Sequence, residues 1–215
     1  TGVRGAIDPA AVVAAARGDD DHLPRLALVC LENTHNRAGG AIVPLERMRR
    51  VAAAAHALGA RVHLDGARLW NASVATGIAV REWVAPVDTV MMCFSKGLGA
   101  PIGSILAGDA VTIRRARRAR KRMGGGMRQV GILAAACLHA LDAHVERLAD
   151  DHRRAAMLAE GLALLPGVSV LAPDTNIVYL ELDDTAGDLD TLLGELGSRG
   201  VRMSRYGSRR LRAIT

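Results

Sequence analysis

In the stretch "CFSKGLGAPIGS" (residues 93–104) a single lysine, Lys96, separates an apolar run from a group of glycines. A lysine amine becomes a nucleophile when partial desolvation favours its neutral form, and its usual product is a Schiff base with a carbonyl compound. Gly97 and Gly99 allow the backbone to turn sharply beside a flat ligand. Read alone, "SKG" is also simply a surface lysine in a glycine-rich loop.

Asp65 sharpens the reading. It closes the apolar part of "RVHLDGAR" (61–68), one crossover helix before Lys96. A pyridoxal 5′-phosphate ring needs an acidic partner at its pyridine nitrogen, so that the ring withdraws electrons from the substrate α-carbon. The competing role for Asp65 is a helix N-cap. Arg68, three positions on, offers a planar fork that fits a carboxylate, as an amino-acid substrate would present; the alternative is one more surface arginine.

These residues need a scaffold that brings distant segments together. Asp8 and Pro9 open a predicted helix over 8–17. Short apolar runs at 26–33, 61–68, 88–96 and 103–109 read as strands. An amphipathic helix over 44–59 separates the first two, and "AVTIRRARRARKRM" is a helix after the fourth. This alternation predicts an open α/β sheet, whose ligands bind beyond the carboxyl ends of the strands. Glu32–Asn36, Asp65–Arg68 and Ser95–Lys96 all fall at such ends. One long helical pattern spans 129–167, with strands at 168–173 and 175–182, a helix at 190–200 and a strand in "VRMSRY". A helix of that length suits a bridge between domains, which places a boundary at 153/154.

Composition narrows the class. Half of the 215 residues are hydrophobic, enough for a substantial core, and aromatics are scarce. Cys30, Cys93 and Cys137 lack metal-ligand spacing and read as reduced thiols of a cytoplasmic protein, with Cys93 as a small buried residue. No apolar run has transmembrane length, so no membrane partner is expected. The net charge of +6 is concentrated in "RRARRARKR" (114–122). No aromatics interleave with that run, so a solvated helix face is expected rather than nucleic-acid binding.

Taken in order, "LENTHN", "HLDGAR", "FSKGLGAPIGS" and "GGGMRQ" resemble the L-threonine aldolases, including the low-specificity and L-allo forms, from about residue 3 to the end. The resemblance implies the aspartate-aminotransferase-like fold type I of pyridoxal 5′-phosphate enzymes. That fold is a large α/β domain (1–153), with a mostly parallel sheet and helices on both faces, then part of a small α+β domain (154–215). It implies that Lys96 is the Schiff-base lysine, Asp65 the pyridinium partner and Arg68 a ligand of the substrate carboxylate. His35 lies near the substrate hydroxyl as a candidate base, Arg128 near the cofactor phosphate, and Arg212 in "RLRAIT" as a late arginine on the carboxylate. His63, two residues from Asp65 on one strand face, is an alternative base or a supporting residue.

The activity implied is retro-aldol cleavage of L-threonine or L-allo-threonine to glycine and acetaldehyde, in a homodimer or homotetramer. Two alternatives stay open: a β-eliminating relative of tryptophanase or cysteine-lyase type, which would not need His35, and a non-catalytic basic module built on 114–122. The chain starts at Thr1, without the family's phosphate cup or the histidine that stacks on the pyridine ring, so an internal piece of a longer protein is expected.

Overall fold

Alternate residues of three parallel strands divide between a dry face and a wet one, and this division organises the first half of the molecule. The computed structural model describes residues 2–17 and 21–215. Strands β1 (Leu28–Glu32), β2 (Arg61–Gly66) and β3 (Thr89–Cys93) run parallel in that order, and β4 (Ser104–Gly108) closes the sheet antiparallel to β3. In register, Val29, Val62 and Leu31, Leu64, Val90 face one side with Met92, and all are buried. Helix α2 (Leu45–Ala57) fills that side with Met48, Val51, Ala52 and Ala55, spaced by three and four so that one stripe meets the sheet. Helices α1 (Pro9–Ala15), α3 (Leu69–Thr76) and α4 (Val80–Val84) add Val12, Leu69, Ala72 and Trp83 to the same core. Each fully buried Val, Leu or Met among them contributes roughly 1.5–3 kcal/mol of transfer free energy.

The opposite side carries Cys30, Glu32, His63, Asp65, Thr89, Met91 and Cys93, none of them fully buried. Cys93, expected to be buried, is only half-buried, and all three cysteines are free thiols. Helix α5 (Ala110–Arg122), capped by the Asp109 carboxylate at the backbone N–H groups of Val111 and Thr112, packs on β4. Every cation in 114–122 is exposed, as a solvated face requires.

The single helix expected over 129–167 is two. Helix α6 (Gly131–His144) ends, three residues turn, and α7 (Leu148–Ala163) begins. The break contains neither Gly nor Pro; it is held by short backbone bonds from Leu148 N–H to Val145 and Ala149 N–H to Glu146. Packing decides it, because the bend lets Ala140 of α6 and Leu148 of α7 both reach one small core under the Lys96 loop. Beyond α7, β5 (Val168–Leu171), β6 (Ile177–Leu182), β7 (Ser204–Arg205) and β8 (Arg210–Ile214) form an antiparallel sheet of order β5-β6-β8-β7. Only two residues of the strand expected in "VRMSRY" pair, and β8, which the apolar pattern of a basic segment hides, is the better strand. Helix α8 (Leu189–Ser198) covers this sheet through Leu189, against Leu180, Leu182 and Leu211. Among the described residues no helix is long and apolar enough to cross a membrane.

Candidate active site

The loop after β1 is clamped before it presents anything. The amide of Asn33, wholly buried, donates from Nδ2 to the Val43 carbonyl (3.1 Å) and accepts from the Val43 N–H at Oδ1 (3.1 Å). Its backbone N–H bonds to the carbonyl of Asp65 (2.9 Å), which ties the end of β1 to the end of β2. The second sheet grips the same loop, since Thr175 Oγ1 donates to Gly40 O and Asp174 accepts from Ile42 N–H. Buried amide clamps of this kind are costly to leave half-made, so they fix a loop in one geometry.

From that loop Asn36 meets three distant residues. Its Oδ1 accepts from Arg68 Nη1 (3.4 Å) and from Arg212 Nη1 (3.2 Å), and its Nδ2 donates to the Tyr206 hydroxyl (3.1 Å). Two guanidinium groups thus converge on one neutral oxygen. Burial depresses the Arg68 pKa, and the neighbouring charge of Arg212 depresses it further. Arg212 Nε is buried with no partner among the described residues, and its guanidinium lies 5.0 Å over the Tyr206 ring. Excess positive charge with an orphaned donor is a receptor for an anion such as a carboxylate. Tyr179 closes the cluster by donating its hydroxyl to Asn36 O (3.2 Å); burial pushes that phenol above its ordinary value.

His35 stands beside this cluster. Its side chain is 12% exposed, Nε2 lies 3.6 Å from Glu32 Oε2, and buried Nδ1 has no partner among the described residues. Glu32 Oε1 accepts the Asn36 backbone N–H, so one carboxylate orients both residues. Gly5 lies flush against the imidazole, where an added Cβ would fall 2.2 Å from His35 Cγ. A cavity of about 540 Å3 opens along His35, Arg37, Tyr179, Glu181 and Arg210, and neither Lys96 nor Asp65 lines it.

Asp65 sits on the uncovered side of the sheet, and its Oδ1 accepts the Ala67 N–H (3.0 Å), a turn contact that leaves Oδ2 available. It pairs in register with Met91 on β3, and Lys96 follows β3 directly, so both lie at the carboxyl ends of adjacent parallel strands. Lys96 is exposed. The desolvation expected to activate its amine is therefore not provided by the described residues. His63 bonds through Nδ1 to Thr89 Oγ1 (2.8 Å), a supporting contact within the sheet. Arg128 lies exposed between α5 and α6.

Sequence reasoning thus named Arg68, Arg212 and His35 but missed the residues that gather them: Asn36 as acceptor, Tyr179 and Tyr206 as walls. One signal was available, because the chain has only two tyrosines and both are here, 4.9 Å apart between ring centroids.

A carboxylate and an amine at the ends of neighbouring strands, on a face that the described residues leave uncovered, match what a pyridoxal phosphate ring needs on its reactive side. The architecture is that of fold-type-I pyridoxal phosphate enzymes. A threonine aldolase from Leishmania major superposes with a TM-score of 0.77 at 18% identity, over 100% of this chain and 63% of that one. An α-aminoadipate aminotransferase from Thermus thermophilus, complexed with N-(5′-phosphopyridoxyl)-L-leucine, superposes with a TM-score of 0.63 at 17% identity, over 87% and 53%. These likenesses establish the fold.

Sequence carries the assignment further, for residues 1–185 match the beta-eliminating lyases and the chain belongs to that family. It is 40% identical over 215 residues to low-specificity L-threonine aldolase 1 of Arabidopsis thaliana, covering 98% of this chain and 60% of that protein. Against the low specificity L-threonine aldolase of Escherichia coli K12 it is 41% identical over 195 residues, covering 85% and 57%. The chain thus spans a little over half the length of the curated relatives it matches.

Proposed function

We propose that this chain belongs to a pyridoxal 5′-phosphate-dependent aldehyde-lyase that cleaves L-threonine or L-allo-threonine to glycine and acetaldehyde. The observation that carries the reading is the convergence of Arg68 and Arg212 on Asn36, with an unused arginine donor, at the strand ends that also bear Asp65 and Lys96. Lys96 would hold the cofactor carbonyl carbon, Asp65 its pyridine nitrogen, and Arg128 its phosphate. When bound, the cofactor supplies an electron sink for the pair left on the substrate α-carbon as Cα–Cβ breaks. Arg68 and Arg212 bind and orient the substrate carboxylate. His35 accepts the β-hydroxyl proton, and Glu32 orients the imidazole for that transfer.

In this reading residues 1–153 belong to the large domain and 154–215 to the small one. The enzyme is a cytoplasmic homodimer or homotetramer acting on a small amino acid. The discriminating experiment uses the complete protein with threonine. Glycine and acetaldehyde are expected as products, and borohydride reduction should fix cofactor mass on the Lys96 peptide. Pyruvate and ammonia from serine or cysteine, with no acetaldehyde from threonine, would instead indicate a β-eliminating enzyme. Absence of bound cofactor absorbance together with tight nucleic-acid binding would indicate a basic module.

A further inference from the structure

The loop that carries Lys96 rests on a core of its own. Phe94, Leu98 and Ala100 are buried against Ala140 of α6 and Leu148, the first residue of α7, with Trp70, Val74, Cys137, Leu141 and Val145 packed around them. Backbone bonds close the loop into a tight turn: Gly99 N–H to Lys96 O (2.8 Å), Ala100 N–H to Phe94 O (3.1 Å) and Phe94 N–H to Gly103 O (3.0 Å). A Cβ on Gly97 would meet Leu148 Cδ2 at 2.7 Å, so a side chain there would have to displace that buried leucine, and Gly99 takes a left-handed φ of 71°.

Two polar contacts reach this loop from α6: Cys137 Sγ lies 3.3 Å from the Ile102 carbonyl oxygen at the loop's far end, and the other falls beside Lys96. His144, the last residue of α6, places Nδ1 2.6 Å from the Leu98 carbonyl oxygen, two residues beyond Lys96. A carbonyl only accepts, so His144 Nδ1 carries the proton and donates. The imidazole in turn meets His139 edge-on, with ring centroids 5.4 Å apart at 78°. The chain turns at 145–147 immediately after His144, so the residue that ends α6 and the residue that starts α7 grip the loop at Leu98 and Gly97.

We propose that His144 is a positioning residue for Lys96: its Nδ1–H bond to Leu98 O holds the turn that presents the amine to the cofactor carbonyl. This rests on the proposed role of Lys96, but the bond itself can be tested without cofactor. In the complete protein, His144→Leu keeps apolar bulk and removes the donor. His144→Asn restores a donor close to where Nδ1 lies. Hydrogen exchange of the 94–103 peptide in the cofactor-free protein should rise about five- to tenfold in H144L and stay near wild type in H144N, as loss of one short hydrogen bond predicts. Capture of pyridoxal phosphate, followed as borohydride-fixed mass on Lys96, should slow by a similar factor in H144L alone. Lys121, the other lysine of this chain, lies on exposed α5 and serves as the reference for unspecific labelling.

A merely structural histidine would raise exchange throughout α6 and α7 and would not be rescued by Asn. Equal exchange of the 94–103 peptide in wild type and H144L, or an H144N protein as loose as H144L, overturns the proposal. Should H144L fail to fold, equal exchange of that peptide in H144N and the isosteric H144D, which lacks the donor, overturns it as well. A wild-type protein that never captures the cofactor on Lys96 overturns the lyase reading instead, while the exchange comparison still decides whether His144 holds the turn.

Discussion

The two faces of the four-stranded sheet are made by the same strands and do opposite work. On one face Val29, Leu31, Val62, Leu64, Val90 and Met92 disappear under α2 and its neighbours. On the other, one residue along in each strand, Glu32, His63, Asp65 and Thr89 remain partly open, polar and hydrogen-bonded. A period of two separates them, so a slip of one residue in register would exchange the buried apolar set for the polar one. The dry face makes the strands rigid, and that rigidity lets the wet face hold a carboxylate and the lysine turn at neighbouring strand ends.

That contrast can be broken at several points. Lys96→Ala should lower activity of the complete enzyme by about a thousandfold or more, in threonine cleavage assays, and leave its thermal midpoint nearly unchanged. Asp65→Asn, which removes the charge and keeps the shape, should cost about a hundred- to a thousandfold in the same assay, again with little change in melting. On the dry face the order reverses: Leu64→Ala should lose about 2–5 kcal/mol of stability in urea unfolding. Met91→Ala, in register beside Asp65, should lose only about 1 kcal/mol. Equal losses for these two truncations would mean that the wet face is as tightly packed as the dry one.

The smallest effect lies at the far end of the strands. Asp88 Oδ2 accepts from His56 Nε2 (2.9 Å) and from the Val62 N–H (2.7 Å), and these bonds, the histidine first, hold its carboxyl below the ordinary carboxylate range. A depressed folded pKa gives stability that is complete above the unfolded value and is lost as pH falls through the folded one. Stability should therefore decline on acidification below the ordinary carboxylate range, and Asp88→Asn should flatten that limb of a pH–urea series without altering the neutral plateau's shape.

The elements of the first half were legible because each signal is local. Asp8–Pro9 starts a helix, the three- and four-residue spacing of Leu45, Met48, Val51, Ala52 and Ala55 writes a buried stripe, and short apolar runs end at polar residues. The second half was less so. The turn at 145–147 has no breaker residue and exists because Ala140 and Leu148 must both reach the lysine turn. Strand β8 alternates arginine with apolar residues and gains its identity only by pairing with β6.

The site divides in the same way. Residue types alone picked out Lys96, Asp65 and Arg68, since an amine, a carboxylate and a guanidinium at strand ends together suggest one ligand, and motif order added His35, Arg128 and Arg212. Tertiary structure alone showed that Arg68 and Arg212 share the oxygen of Asn36, that the two tyrosines wall them, and that His144 reaches the Leu98 carbonyl. Chemical capacity belongs to a side chain and can be read one residue at a time. Convergence depends on how separated segments pack, and local sequence does not encode which distant donor will arrive at a given acceptor.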